Sequence, residues 1–330
     1  MRGGIFLGFW RVLASAGALF LALTTASRAA TLYSTSFGNP PFNPSAFYWA
    51  GMDGWLASDP SNGSAAVGTT GGVVYLGHVQ PAGTLSAVWR PFNLDPVELG
   101  VPIVKIRTRL AIFHSTNGYY DGFGFGIYNR LGKFVCGVFF DNWTGLISYN
   151  SGFGLESTGL YFADDVFIEA SLTLNFATNR ASLSFYDAAG AEHPAFANRT
   201  LNQAGTALDF GEFDYLWFLN SSGTAGDNAM VIDALSVEAQ ANPSLVIAHG
   251  KTQRTKGDTC ILRGGQAAED DVRIEWKSKT QRRWTPVRGS STGWTIHLRK
   301  LVKGRNVVQL RMLDALGRTI DQQSVNVLRK

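Results

Sequence analysis

The chain has 330 residues and a formal net charge of +4; it is 45% apolar and only 16% charged, with 37 glycines and 11 prolines. Disorder needs low hydrophobicity with high charge, a coiled coil needs a surface rich in Glu, Lys and Leu, and collagen needs a Gly-X-Y period; none of these fits. At about 100–200 residues per domain, two domains are expected.

The chain opens with Arg2 and Arg11, an apolar core over residues 12–23 and a run of small residues up to Ala30. This pattern is that of a secretory signal peptide over residues 1–30, with cleavage after Ala29 or Ala30. The uncharged core is well short of the roughly 20 residues a membrane-spanning helix requires. An uncleaved anchor over residues 5–23 is the alternative, but it places Arg11 in the bilayer at about 2.5–3.5 kcal/mol if central. No second apolar segment follows, so no transmembrane segment is expected after cleavage. The expected location is outside the cytoplasm, secreted or in the cell envelope (periplasm or outer surface).

Beyond the leader, apolar residues recur at every second position, the period that sends alternate side chains to opposite faces of a sheet. The runs lie at 104–113, 122–128, 133–140, 145–149, 166–176, 181–186, 213–219 and 230–237. In residues 166–176 every even position is apolar, from Val166 and Ile168 through Ala170, Leu172 and Leu174 to Phe176. Asn, Gly, Asp and Ser separate the runs as turns. No window sustains a 3.6-residue period with caps, so helices should be few and a parallel α/β fold is excluded. The class is all-β, an antiparallel sandwich followed by a smaller one.

Charge marks the division. Residues 31–240 hold 8 Lys+Arg against 18 Asp+Glu, net −10, and residues 241–330 hold 18 against 7, net +11. The sign changes at residues 239–244, where Pro243 restricts its predecessor to extended geometry. The two cysteines, Cys136 and Cys260, fall on opposite sides of this boundary in apolar strand-like runs. They read as buried free thiols, not as a disulfide framework.

Three segments carry a resemblance: Tyr33-Ser34-Thr35-Ser36-Phe37, Gly51-Met52-Asp53-Gly54-Trp55, and Val231-Ile232-Asp233-Ala234-Leu235-Ser236-Val237. They are similar to the first and last segments of secreted bacterial concanavalin-A-like jelly rolls of the lectin, glucanase and laminin-G-like type. The resemblance covers residues 31–240 and implies that the first and last strands lie side by side. Gly38 stands where that family often carries an acid, which removes one ligand from any metal site that depends on it. Residues 241–330 resemble bacterial immunoglobulin-like modules through Ser244-Leu245-Val246-Ile247, Val272-Arg273-Ile274-Glu275-Trp276-Lys277, Trp284, Trp294 and Asp314-Ala315-Leu316-Gly317. In this domain Trp276 and Trp284 alternate with charge, which places both in a core instead of on a stacking surface.

Glycoside hydrolysis needs two carboxylates flanking the sugar bond. Glu212-Phe213-Asp214 puts two on one strand face, but the Glu-x-Asp-x-x-Glu pattern of the laminarinase-type glucanases ends here in Trp217, so one working acid is missing. Glu212 and Asp214 therefore read as solvated strand-edge charges, and no catalytic residue is assigned. His78, His114, His193, His249 and His297 lie in no nucleophile motif, and zinc lacks its ligand spacing. Asp121, Asp141, Asn142, Asp164, Asp165 and Asp227-Asn228 have the hard oxygens a structural calcium uses. The same residues serve turns. The turn reading is preferred and no cofactor is expected.

Sugar recognition uses aromatic rings with a few amide or carboxylate groups. Two places offer it. Tyr119, Tyr120 and Asp121 precede three glycines, Gly122, Gly124 and Gly126, that share one strand face and leave a shallow trough. Asp141, Asn142 and Trp143 form a hairpin tip with an exposed indole. The sequence therefore reads as an exported, non-enzymatic binding or adhesion protein. Its expected partner is a glycan, contacted through the jelly roll at these six residues, or an anionic cell-envelope polysaccharide, which the basic second domain suits. Nucleic acid is not expected, because an exported protein meets little of it. A glycoside-active enzyme on the jelly roll and a purely structural envelope protein are the alternatives.

Overall fold

The computed structural model describes residues 29–38, 41–42, 49–58, 69–70, 72–77, 85–241, 244–248, 250–267, 273–290, 293–313, 317 and 319–330. Residues 1–28 of the expected leader, Pro243 of the expected linker, His78 and His249 lie outside the described residues. Two compact units are present, Ala29–Gln240 and Ala241–Lys330. Among the described residues no helix forms.

The strands of the first unit are Ala30–Thr35 (β1), Leu56–Ala57 (β2), Thr69–Thr70 (β3), Val73–Gly77 (β4), Leu85–Leu94 (β5), Ile103–Phe113 (β6), Gly122–Tyr128 (β7), Phe134–Asp141 (β8), Leu146–Asn150 (β9), Leu155–Tyr161 (β10), Ile168–Asn175 (β11), Arg180–Tyr186 (β12), Glu192–Thr200 (β13), Phe210–Phe218 (β14) and Ala229–Gln240 (β15). One sheet has eight strands in the order β13-β12-β11-β6-β15-β4-β3, with β1 also paired to β15. The other has seven, β10-β9-β8-β7-β14-β5-β2. All of these pairs are antiparallel. This is an antiparallel jelly-roll β-sandwich.

The period-two runs become strands because each has one face to bury. In β11, Ala170, Leu172 and Leu174 are buried while Glu169, Thr173 and Asn175 stay partly exposed. Phe123, Phe125 and Ile127 of β7 join Phe213, Tyr215 and Trp217 of β14, Ile106 and Leu110 of β6, and Ile232 and Leu235 of β15 in one core. At roughly 1.5–3 kcal/mol for each large apolar side chain buried, this core holds the unit without disulfides; Cys136 and Cys260 are both free.

The opening segments fold as the resemblance implies. Residue Ala30 pairs with Ala239 and Thr35 with Leu235, so the first strand lies along the last. The Tyr33 hydroxyl donates to Asp53 Oδ2 at 2.7 Å and accepts from Trp55 Nε1 at 3.0 Å. The Trp55 ring stacks on Tyr215 with centroids 5.7 Å apart. The Gly-Met-Asp-Gly-Trp segment is thus an internal anchor of the sandwich.

The second unit contains Ser244–Ile247 (β16), Thr252–Thr255 (β17), Cys260–Ala267 (β18), Arg273–Ser278 (β19), Thr285–Pro286 (β20), Arg288–Ser290 (β21), Gly293–Leu298 (β22), Gly304–Leu313 (β23) and Thr319–Arg329 (β24). Its sheets are β16-β18-β22-β21 and β17-β24-β23-β19-β20. The β17 to β24 pair is parallel. Leu262, Trp294, Ile296, Val308, Leu310, Met312, Val325 and Val327 form its core, and Trp276 packs against them as alternation predicts. Trp284 corrects the expectation. It is only partly buried, and its ring carries the Lys277 ammonium at 4.5 Å and the Arg311 guanidinium at 4.3 Å. The alternation it was read from belongs to β19, whereas Trp284 precedes the two-residue strand β20.

Candidate functional site

The β8–β9 connection is a tight hairpin. Asp141 accepts the Trp143 N–H at 3.0 Å and the Thr144 hydroxyl at 2.7 Å, the self-capping expected of Asp at a turn. Gly145 closes the turn at φ +72, where a Cβ would stand 3.2 Å from the Phe162 carbonyl. This geometry projects Trp143 outward, 71% exposed. Its indole meets the ring of Tyr120 edge-on at 4.9 Å, and Tyr120 in turn meets His114 at 5.7 Å.

Between these rings lies a hollow of about 320 Å³ lined by His114, Tyr120, Asn142, Trp143, Thr144 and Asp164, among others. Its polar groups divide into satisfied and unsatisfied ones. His114 Nδ1 lies 2.8 Å from Asp164 Oδ2, and its backbone N–H donates to Asp165. Asn142 is buried, and its amide donates weakly to the Phe113 carbonyl at 3.4 Å. Its Oδ1 has no partner among the described residues. A buried amide oxygen without a donor costs about 1–3 kcal/mol.

Of the six residues expected to contact ligand, the fold brings Tyr120, Asn142 and Trp143 together at this hollow and leaves the others elsewhere. Tyr119 sits on the preceding loop with its N–H on Asn117 Oδ1. Asp141 holds the turn and faces a second concavity. Asp121 corrects the expectation most clearly. It is 0% exposed and accepts from Trp217 Nε1 at 3.0 Å, Asn220 Nδ2 at 2.8 Å, the Asn220 N–H at 3.1 Å and the Gly226 N–H at 2.9 Å. That carboxylate ties the loop before β15 to the start of β7, behind the hollow. The sequence does not join His114 to Asp164; they lie 50 residues apart, and only the fold pairs them.

Of the residues considered for calcium, Asp141 and Asp227 hold loops through backbone N–H and hydroxyl donors. Asp227 accepts from the Ser115 hydroxyl, the Thr116 N–H and hydroxyl, and the Asn117 N–H. The Thr116 hydroxyl bond leads a set of donors that holds its carboxyl well below the usual carboxylate range. Among the described residues no three His, Cys, Asp or Glu side chains group as a metal ion would need. Burial pushes the Cys136 thiol up to about 12, so it is no thiolate nucleophile.

The second concavity lies on the face of the seven-stranded sheet turned away from the core. It measures about 460 Å³ and is lined by Gly122, Phe134, Phe139, Leu216 and Phe218, with Asp141, Ser148 and Asn150 among its polar residues. The three glycines of β7 do share this face. Rings from β8 cover two of them, and these rings, not Tyr119 and Tyr120, shape the trough. A Cβ on Gly124 would meet Phe139, and one on Gly126 would meet Leu216, Tyr128 and Phe134.

Glu212 and Asp214 also face this side, and here the structure overturns the reading of solvated edge charges. Strand β14 is hydrogen-bonded on both sides, to β7 and β5. Asp214 is 5% exposed, and its Oδ1 is buried without a hydrogen-bond partner among the described residues. Burial, and then the Glu212 charge, push its carboxyl up to about 8; burial also raises Glu212. The signal that could have found this was the position of Asp214 inside a run of aromatic residues, Phe210 to Phe218, too apolar for an edge.

No family model and no curated protein matches the sequence. Solved structures do resemble it. The CBM2 module of the evolved Dit of Lactobacillus casei BL23 phage J-1 is 12% identical over 65% of this chain and 97% of its own, with a TM-score of 0.45. Peanut lectin is 10% identical over 64% of this chain and 98% of its own, with a TM-score of 0.45. A sialidase is 11% identical over 57% of this chain, with a TM-score of 0.41, and the chain spans only 17% of that protein. Among the described residues no helix is long and apolar enough to cross a membrane. At these identities the likeness is one of fold alone.

Proposed function

We propose that this is an exported, non-enzymatic carbohydrate-binding protein, with the Trp143 hollow of the jelly roll as its recognition site. The observation that carries the reading is the combination of an exposed indole and a buried, unpartnered Asn142 Oδ1 in one small hollow. An indole offers a flat apolar face to a pyranose ring. Asn142 Oδ1 accepts a hydroxyl, and the Asp164 carboxylate and Thr144 hydroxyl supply further polar contacts at the wall. Export rests on the leader at residues 1–30. The ligand class extends to an anionic cell-envelope polysaccharide through the excess of basic residues in the second unit.

The second unit serves as an immunoglobulin-like spacer or surface contact in this reading. Its support is topological: a four-stranded sheet faces a five-stranded one, and the second strand runs parallel to the last.

The test is a glycan array with the full chain, followed by titration of any sugar that binds. Binding that falls at least about tenfold in Trp143→Ala, with the thermal midpoint unchanged, supports the site. A silent array, binding indifferent to Trp143→Ala, or turnover of the bound glycan would overturn it.

A further inference from the structure

On the outward face of the seven-stranded sheet, register sets the side chains in rows. Asp214 lies opposite Trp89 of β5 on one side and Gly126 of β7 on the other. In the next row Glu212 lies between Pro91 and Tyr128. In the row on the other side, Leu216 stands opposite Gly124 and forms part of the trough wall. Gly126 contributes no side chain beside Asp214, and Tyr128 and Phe134 meet edge to face at 5.4 Å above that gap. The charge of Asp214 is felt at Tyr128, whose hydroxyl is pushed up to about 12, first by burial and then by Asp214 and Glu212.

Asp214 is buried and Glu212 partly so, and the rings of Tyr128 and Phe134 beside them also line the apolar trough. A sugar suits it less well, because its lining is mostly apolar and two of its polar residues, Asp141 and Asn150, already accept from their own turns. A bare metal ion suits it poorly as well, since among the described residues no three acids group there. Carboxylate and aromatic faces together are the chemistry that holds organic ammonium groups. The excess of acids over bases across residues 31–240 favours a cation in the same sense.

We propose that this face binds an organic ammonium carrying an apolar tail, with the ammonium between Asp214, Glu212, Trp89 and Tyr128 and the tail along the Phe134, Phe139 and Phe218 trough. Without ligand, Asp214 keeps its proton near neutral pH; the bound ammonium takes the place of that proton as the counter-charge. The site is separate from the Trp143 hollow and does not depend on the glycan reading.

Calorimetric titration of the full chain with dodecylammonium and with its neutral analogue dodecanol tests the proposal, both below their aggregation concentrations. Dodecylammonium should bind at least about tenfold more tightly than dodecanol. Asp214→Asn and Glu212→Gln should each bring the ammonium down towards the alcohol without lowering the thermal midpoint, and Trp143→Ala should leave ammonium binding intact. Equal binding of the two probes, binding of neither, or an Asp214→Asn protein that holds the ammonium as tightly as the wild type would overturn it.

Discussion

Two aspartates of the first unit are almost equally buried and otherwise opposite. Asp121, at the mouth of β7, is met by four N–H donors, whereas Asp214, at the centre of β14, has one oxygen buried with none. Burial is common to both, so it cannot tell a scaffold from a site. The donor count does. A full set of N–H donors from the protein makes a buried charge part of the fold, and its absence leaves the group to be completed from outside.

Substitution at both positions sharpens this contrast. Asp121→Ala strands at least two buried donors, Trp217 Nε1 and the Gly226 N–H, at about 1–3 kcal/mol each. Urea unfolding should therefore show a loss of roughly 2–6 kcal/mol, and a loss below about 1 kcal/mol would break the comparison. Asp214→Asn should do the reverse. The folded protein holds the Asp214 proton up to about pH 8, while the unfolded chain releases it near 3.8. The folded state thus binds more protons between these values, and wild-type stability should fall as pH rises from about 4 towards 8. The Asn variant should flatten that decline and gain on the order of a few kcal/mol at pH 8. A variant whose stability tracks the wild type across this window would contradict it.

Smaller effects separate the rim hollow from the scaffold behind it. Gly145→Ala forces a side chain into left-handed backbone and towards the Phe162 carbonyl, costing about 1–2 kcal/mol and displacing Trp143. It should weaken glycan binding along with stability, as thermal unfolding and titration together would show. Trp143→Ala removes an exposed ring and should change stability by no more than about 0.5 kcal/mol while abolishing binding. A large destabilisation there would mean the indole holds the hairpin closed instead of serving a ligand.

The sandwich was legible wherever one face of a strand is buried and the other wet. The run at 122–128 matches β7 from end to end, and 104–113, 181–186 and 230–237 lie within β6, β12 and β15. Strands β10 and β13 lacked that signal because their side chains are mostly exposed or half-buried. In β5 the alternation is interrupted at Arg90-Pro91, and the pairing with β14 shifts register just beyond, between Pro91 and Leu94. The hairpin tip at Asp141, Asn142 and Trp143 was legible from turn chemistry. Its completion by His114 and Asp164, and the different duties of Asp121 and Asp214, were not. Each depends on which donors a distant segment brings, and the local pattern around an aspartate does not encode that.

The pairing of Thr31 with Glu238 has a consequence for how the jelly roll can be used. Its polypeptide enters and departs through adjoining ladder positions, so the two ends of the unit are already a few ångströms apart. A module stitched this way is a cassette: it can be spliced into a surface bend of a host protein, or have its ends fused and be reopened at the 142–145 tip, without unravelling either layer.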